Sequence, residues 1–279
     1  MSVERVFEGQ GGKNAAPTPH SGVPLVERFY RAGMGGRFHS WTLSLGESDL
    51  WIGVSAGSWN PEMESVAREA LRDARSQIEG YVSCIGGIPV HAGHEHFMKS
   101  LEPLPEDPVA PFVVRAMLEA GASAGVGPMA AVAGAIAAYV GNALATAFKS
   151  SEIIVENGGD LWLRFDRPLE VAVFSGNSPF SRRIAVELLP ELSPCGLCTS
   201  SGTIGPSLSF GYADAAVILC RDAALADAWA TAACNAVQSS ADIQPVLSLL
   251  RAQPNILGSL IIVDDKMGIQ GKLRLRPRH

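Results

Sequence analysis

Between Glu119 and Lys149 the chain carries no charged side chain, and most of that run is alanine and glycine. A single apolar helix of that length would cross a bilayer. Gly125, Gly127 and Pro128 break the run early, however, and alanine and glycine give little of the hydropathy a lipid-facing span needs. The stretch therefore predicts a buried, small-residue helix over residues 129–148 rather than a membrane segment.

The composition around it agrees. Charged residues make up 18% of the chain and hydrophobic ones 47%, with 29 glycines, which excludes a disordered polymer. A net charge of −6 without a basic run argues against a nucleic-acid partner. Residues 1–13 hold Glu4, Arg5 and Glu8 and no apolar core, so no secretory signal is read there and a cytoplasmic setting is expected. The five cysteines are then expected as thiols.

Residues 1–24, with Gly11, Gly12, Pro17, Pro19 and Pro24, read as a loose N-terminal arm, and residues 25–279 as one domain. Strands are expected over residues 26–31, 38–45 and 50–55, the last two joined by a turn at Gly46-Glu47-Ser48-Asp49. Asn60-Pro61-Glu62 starts a helix running to about Tyr81. A Gly/Pro/His-rich connection follows, then a short helix over residues 111–120. Strands are expected at 153–156, 161–165 and 169–174, a Ser/Gly-rich loop at 199–211, a strand at 213–220 and an Ala-rich helix at 222–238. Without regular strand–helix alternation, this order predicts an α+β fold with antiparallel sheets.

Four stretches invite chemistry. In Ala226-Asp227-Ala228-Trp229-Ala230-Thr231, Asp227 and Thr231 share a helix face at i and i+4. They offer hard oxygen ligands of the kind Mg²⁺ takes, or else Asp227 serves the helix start and Thr231 bonds back to a carbonyl. Thr199-Ser200-Ser201-Gly202-Thr203 could let backbone N–H groups approach a phosphate, or be a plain connection. Asn157-Gly158-Gly159-Asp160 is a hairpin turn, or a ligand contact with Asp160 as acceptor. Gly125-Val126-Gly127-Pro128-Met129-Ala130-Ala131 enters a helix, where glycines serve an anion or a bend.

In this order and spacing the four stretches resemble the ApbE family, flavin transferases that cleave FAD and attach FMN to a Ser or Thr of a target protein with Mg²⁺. The family's segments match Gly127 with Ala130, Gly158-Gly159-Asp160, Thr199-Ser200 with Gly202, and Ala226-Asp227-Ala228 with Ala230-Thr231. The chain is more similar still to an ApbE-like UPF branch of archaea and anaerobic bacteria. The residues that carry this likeness are 126–134, 155–160, 199–203 and 207–211, with Glu27 to Tyr30 and residues 97–104 in the first half.

The resemblance implies an ApbE-like, T-fold-like architecture, two half-domains with antiparallel sheets packed by helices around a central cleft. It implies a metal site on Asp227, Thr231 and the backbone carbonyl of Ala130. Asn157, Gly158, Gly159, Asp160, Thr199, Ser200, Ser201, Gly202 and Thr203 would bind FAD, FMN or another nucleotide. Pyrophosphate cleavage is the reaction expected of such a site. The transferases' His-x-x-Asp-Pro segment is replaced here by Gly205-Pro206-Ser207, and their lysine by Ala131. Without a base at that point, activation of a protein hydroxyl forfeits a typical ~10²–10⁴-fold, so a nucleotide ligand is expected rather than a protein acceptor.

Two features fall outside the match. Cys195-Gly196-Leu197-Cys198 is a redox or metal half-site, or buried packing. The resemblance also connects this branch with anaerobic sulfur assimilation and homocysteine formation, in which those cysteines would carry sulfur. A relative that binds its ligand without catalysis is a further alternative. His91, His94 and His96, with Glu95, read as a solvated loop or a zinc site.

Overall fold

The computed structural model describes residues 5–8, 36–85, 88–89, 94–203 and 210–278. The strand expected at 26–31, His91, the 27–30 segment and residues 204–209 lie outside them, as does most of the expected arm. Within that arm, Arg5–Glu8 is a strand, β1.

The chain continues through β2 (Phe38–Leu45), β3 (Ser48–Ser55), α1 (Glu62–Val82), the short pair β4 (Cys84–Ile85) and β5 (Ile88–Pro89), α2 (His94–Lys99), α3 (Phe112–Ala124) and α4 (Val132–Ala147). There follow β6 (Ile153–Asn157), β7 (Asp160–Arg164), β8 (Leu169–Ala172), β9 (Ile184–Leu188), β10 (Cys195–Ser200) and β11 (Ala215–Cys220). α5 (Ala223–Ala236), α6 (Ile243–Arg251), β12 (Ile256–Val263), β13 (Lys266–Gly271) and β14 (Arg274–Pro277) complete it.

The fold is α+β with antiparallel sheets, as the element order predicts. One sheet of nine strands runs β1-β13-β12-β11-β10-β7-β6-β3-β2, and a small sheet runs β14-β9-β8. Two units share one plan: β2–β3, helices, β6–β7, and β10–β11, helices, β12–β13. They meet edge to edge where β7 pairs with β10, Leu161 opposite Leu197.

Both faces of the large sheet are covered, so its central strands are apolar throughout but still alternate. Ile153, Val155, Trp162, Cys198 and Ile218 point into the layer beneath the helices. Ile154, Leu163, Cys195, Leu197 and Val217 point into the opposite layer, with residues of the small sheet such as Val186 and Leu188.

The uncharged run divides into α3, a 3-10 turn at Pro128–Ala131 and α4. α3 ends four residues later than expected, at Gly125, whose φ of 74° and N–H bond to Gly121 form a left-handed cap. Residues 128–147 are long and apolar enough for a span, yet Ala135, Ile136, Ala137, Val140 and Leu144 are buried in the core. Small residues are required here. A Cβ on Gly141 would stand 2.1 Å from the Trp162 ring, and one on Gly134 would stand 2.2 Å from the carbonyl oxygen of Ala223. α4 thus lies almost backbone to backbone against α5.

Near the outer edge of the large sheet, the fully buried Glu152 carboxylate is paired by Arg37 and Arg167. Burial opposes its charge, but the two guanidinium groups hold it below its ordinary pKa. Arg37 also donates to the carbonyl of Pro168 at 2.7 Å, fastening the turn after β7.

Candidate functional site

The junction of the two units brings the sequence motifs together. Asn157 pairs with Asp160 across the β6–β7 hairpin, and Gly158 and Gly159 between them have φ of 68° and 108°. Two positive φ values in a two-residue loop demand glycine. The motif is a tight turn, and the turn aims Asp160 at β10. There Asp160 Oδ1 accepts from the backbone N–H of Thr199 at 3.3 Å, just past the last β7–β10 pair. The Asn157 amide donates to the carbonyl of Ala133 at 3.3 Å. Behind the turn, the buried Glu156 carboxylate accepts from Gly159 N–H at 2.8 Å.

Asp227 arrives from the helical layer. α5 is started by Asp222, whose carboxylate accepts from Leu225 N–H at 2.8 Å. One turn on, Asp227 Oδ2 accepts from Gly134 N–H at 2.9 Å, and Ala133 N–H also acts on it. These are the second and third residues of α4, whose own N-cap, Ala131, contributes no side-chain bond. Asp227 therefore caps α4 from another helix, a role different from the local one weighed for it, service at the start of its own helix α5. In a continuous helix Gly134 N–H would return to the carbonyl four residues back, that of Ala130. Here it goes to Asp227. Thr231, one turn beyond Asp227 and half-buried, makes no back-bond to the helix among the described residues.

Asp160 and Asp227 are 7% and 8% exposed, and each acts on the other. Burial pushes Asp160 up to about 7, with Glu156 adding to the rise and the Thr199 N–H and Cys198 opposing it. Burial, then the Asp160 charge, pushes Asp227 well above the carboxylate range. Among the described residues no lysine or arginine pairs with either. Burial without a cationic partner disfavours the charged form of both carboxylates.

The Thr199 to Thr203 motif divides. Thr199 and Ser200 belong to β10 rather than to a loop, and only Thr199 joins Asp160. Thr203 Oγ1 donates instead to Asp214 Oδ1 at 3.0 Å, and Ser201 Oγ accepts from Thr203 N–H at 3.2 Å. Gly202 is forced by the close approach of Gly211, whose carbonyl oxygen a Cβ would meet at 1.8 Å. Asp214, half of this anchor, has no flanking signal in the sequence. Gly134 has no side chain to mark it in the sequence, and Cys198 joins the site alone rather than with Cys195.

The Cys-x-x-Cys motif does not make a pair. Three residues apart on a strand, its side chains fall on opposite faces, Cys195 in one core layer and Cys198 in the other. Burial raises Cys195 to about 12 and Cys198 well above a thiol's ordinary value. Cys198 sits between the carboxylates, its Sγ donating to the carbonyl of Ala223 at 3.4 Å. His94 and His96 fall on the short helix α2, and no cluster of three His, Cys, Asp or Glu suited to a metal occurs among the described residues.

A family model described as "AbpE bacteria" matches residues 31–255. A UPF0280 protein of Methanosphaerula palustris is 42% identical over 71% of this chain and 73% of its own length. One from Methanothrix thermoacetophila is 40% identical over 75% of this chain and 83% of its own. Among solved structures, the flavin transferase ApbE from Vibrio cholerae superposes with a TM-score of 0.53 at 13% identity, covering 84% of this chain and 97% of that one. The apo flavinyl transferase ApbE of Pseudomonas stutzeri gives a TM-score of 0.53 at 12% identity, over 84% and 94%. At such identities the structural likeness speaks for the fold. The sequence matches go further: this chain belongs to the ApbE-like family described as AbpE bacteria, with the UPF0280 proteins among its relatives.

Proposed function

We propose that this protein binds a nucleotide, of which a flavin dinucleotide is the leading candidate, together with a divalent cation at the junction of its two units. The observation that carries the reading is the pair of buried, mutually repelling carboxylates, Asp160 and Asp227, with no cationic side chain beside them among the described residues. The oxygen donors fit a hard cation. Asp227 is held by one oxygen, Thr231 offers a hydroxyl without a hydrogen-bond partner among the described residues, and the Ala130 carbonyl loses its helical partner to Asp227. These three groups would hold Mg²⁺, which when bound neutralises charge on pyrophosphate oxygens.

The protein's own groups do the rest. The Asn157 to Asp160 turn and Thr199 line the approach, and Asp160 is the acceptor for a ligand hydroxyl or N–H. Its pKa near 7 lets it hold or release a proton at neutral pH. The reaction class that suits this set is pyrophosphate cleavage in a cytoplasmic, nucleotide-rich setting. A sulfur-carrying role finds no support in thiols that face opposite core layers.

The test is calorimetric titration of the purified protein with FAD in the presence and absence of Mg²⁺, followed by assay for FMN and AMP. Mg²⁺-dependent binding by the wild type and its loss in Asp227→Asn are expected. Binding indifferent both to Mg²⁺ and to Asp227→Asn would overturn the reading.

A further inference from the structure

A cavity of about 600 Å³ is lined by Phe174, Asn177, Ser178, Ser181, Arg182 and Arg183, with Gly176 and Pro179 completing it. None of these belongs to the site described above. They come from one connection, residues 173–183, between β8 and β9.

That connection is stiff. Ser178 N–H bonds to Ser175 O, Ser181 N–H to Ser178 O, Arg183 N–H to Phe180 O and Arg182 N–H to Val173 O, each at 3.0 Å. Ser175 N–H also donates to Ser181 Oγ at 3.2 Å. Ser178 Oγ donates to the carbonyl of Asp264 at 2.7 Å, and Asp264 N–H donates to Asp214 at 2.7 Å. The loop is thereby tied to the same acid that anchors Thr203. Arg182 is held at a φ of 65°, a conformation that a non-glycine residue adopts at a cost, and its guanidinium lies 5.6 Å from the centre of the Phe174 ring.

Several arginines elsewhere in the molecule serve the fold. Arg37 and Arg167 hold Glu152, Arg75 holds Glu47 and Glu79, and Arg276 holds Glu187. Arg221 binds the carbonyls of Leu192 and Glu191. The Arg183 side chain is exposed, and its guanidinium has no carboxylate or carbonyl partner among the described residues. Between two lining residues in the chain, Ser175 Oγ is buried and unpartnered. A net negative chain with few charges has thus placed adjacent guanidinium groups, an exposed amide and the Ser181 hydroxyl around one hollow on a hydrogen-bonded loop. That is the donor set and the shape that a phosphate requires.

We propose that the 174–183 loop is a binding site for a phosphate monoester of a small molecule, Arg183 and Asn177 contacting the phosphate. The site stands independently of the carboxylate pair.

The probes are inorganic phosphate and AMP, titrated into the full-length protein with EDTA present to silence the cation site. Saturable binding of AMP is expected, weakened by added salt. Arg183→Ala should weaken it about 10- to 100-fold, the range for losing a charge-assisted contact, and Asn177→Ala should weaken it less. Both side chains are exposed, so unchanged melting temperatures separate lost binding from lost folding. Asp227→Asn should leave AMP affinity unchanged. No saturable binding of either probe, or binding that survives Arg183→Ala, overturns the proposal. Loss in Asp227→Asn with retention in Arg183→Ala overturns it too, by assigning the anion to the carboxylate site.

Discussion

Asp227 has two jobs, closing the start of α4 and facing the proposed cation, and the variants Asp227→Asn and Asp227→Ala separate them. In metal-free protein its raised pKa favours the neutral acid, of which asparagine is a close mimic. The asparagine carbonyl keeps the acceptor for Gly134 N–H, now 2.9 Å away, so stability should stay within about 1 kcal/mol of the wild type. Alanine removes the acceptor and leaves that buried N–H unanswered, a loss of about 1–3 kcal/mol. At roughly 2–4 °C per kcal/mol for a chain of this size, Asp227→Ala should melt about 2–12 °C lower. The assay is thermal denaturation at pH 7 in EDTA, with Mg²⁺ titration in parallel. Both variants should lose Mg²⁺ binding, while only alanine should lose stability. Equal destabilisation by both would refute the capping argument, because the charge itself would then be holding the helix. Wild-type Mg²⁺ affinity in Asp227→Asn would refute the cation site.

Stability should depend on pH in two opposed limbs, read from melting temperatures in EDTA. Asp160 and Asp227 are raised in the folded state, so the stability they confer is full below their unfolded value of 3.8 and is lost as pH rises, for Asp160 through about 7. Glu152 is lowered, so its contribution is present above 4.5 and is lost as pH falls further. A metal-free optimum at about pH 4 is expected, with Mg²⁺ restoring stability at pH 7.5 far more than at pH 5. An EDTA profile rising steadily to pH 8 would contradict this. Gly134→Ala, whose Cβ would meet Ala223 O at 2.2 Å, should cost about 1–3 kcal/mol by overpacking and weaken Mg²⁺ binding, seen by denaturation and calorimetry. Cys195, Cys198, Cys220 and Cys234 are all buried and should resist maleimide in the native protein yet label fully in denaturant, as mass spectrometry would register.

What could be read from the sequence depended on whether the signal was local. The small-residue helix declared itself through composition, and the Gly158-Gly159 turn through a backbone requirement that only glycine meets twice in succession. The β9 and β12 strands are hard to read because their short apolar runs do not differ from a buried helix segment, and β13 and β14 because they have no apolar run to read. Asp227 and Thr231 stood out by residue type, but the partner of Asp227 is a backbone N–H 93 positions away on a residue with no side chain to announce it. Cys195 and Cys198 show the reverse case. Their spacing was visible, yet its meaning turned on whether it lay on a helix or a strand, and three residues on a strand is an odd number.

The contact of Gly134 with Ala223 has a thermal consequence. Alanine and glycine have no side-chain torsions to freeze on folding, so nothing at that crossing melts by degrees as temperature rises. The spacing between α4 and α5 at that crossing is set by main-chain atoms, like a gauge without moving parts. A cation at the proposed site would meet two helices already in register, and amide hydrogen exchange along α4 and α5 should be nearly the same before and after it binds.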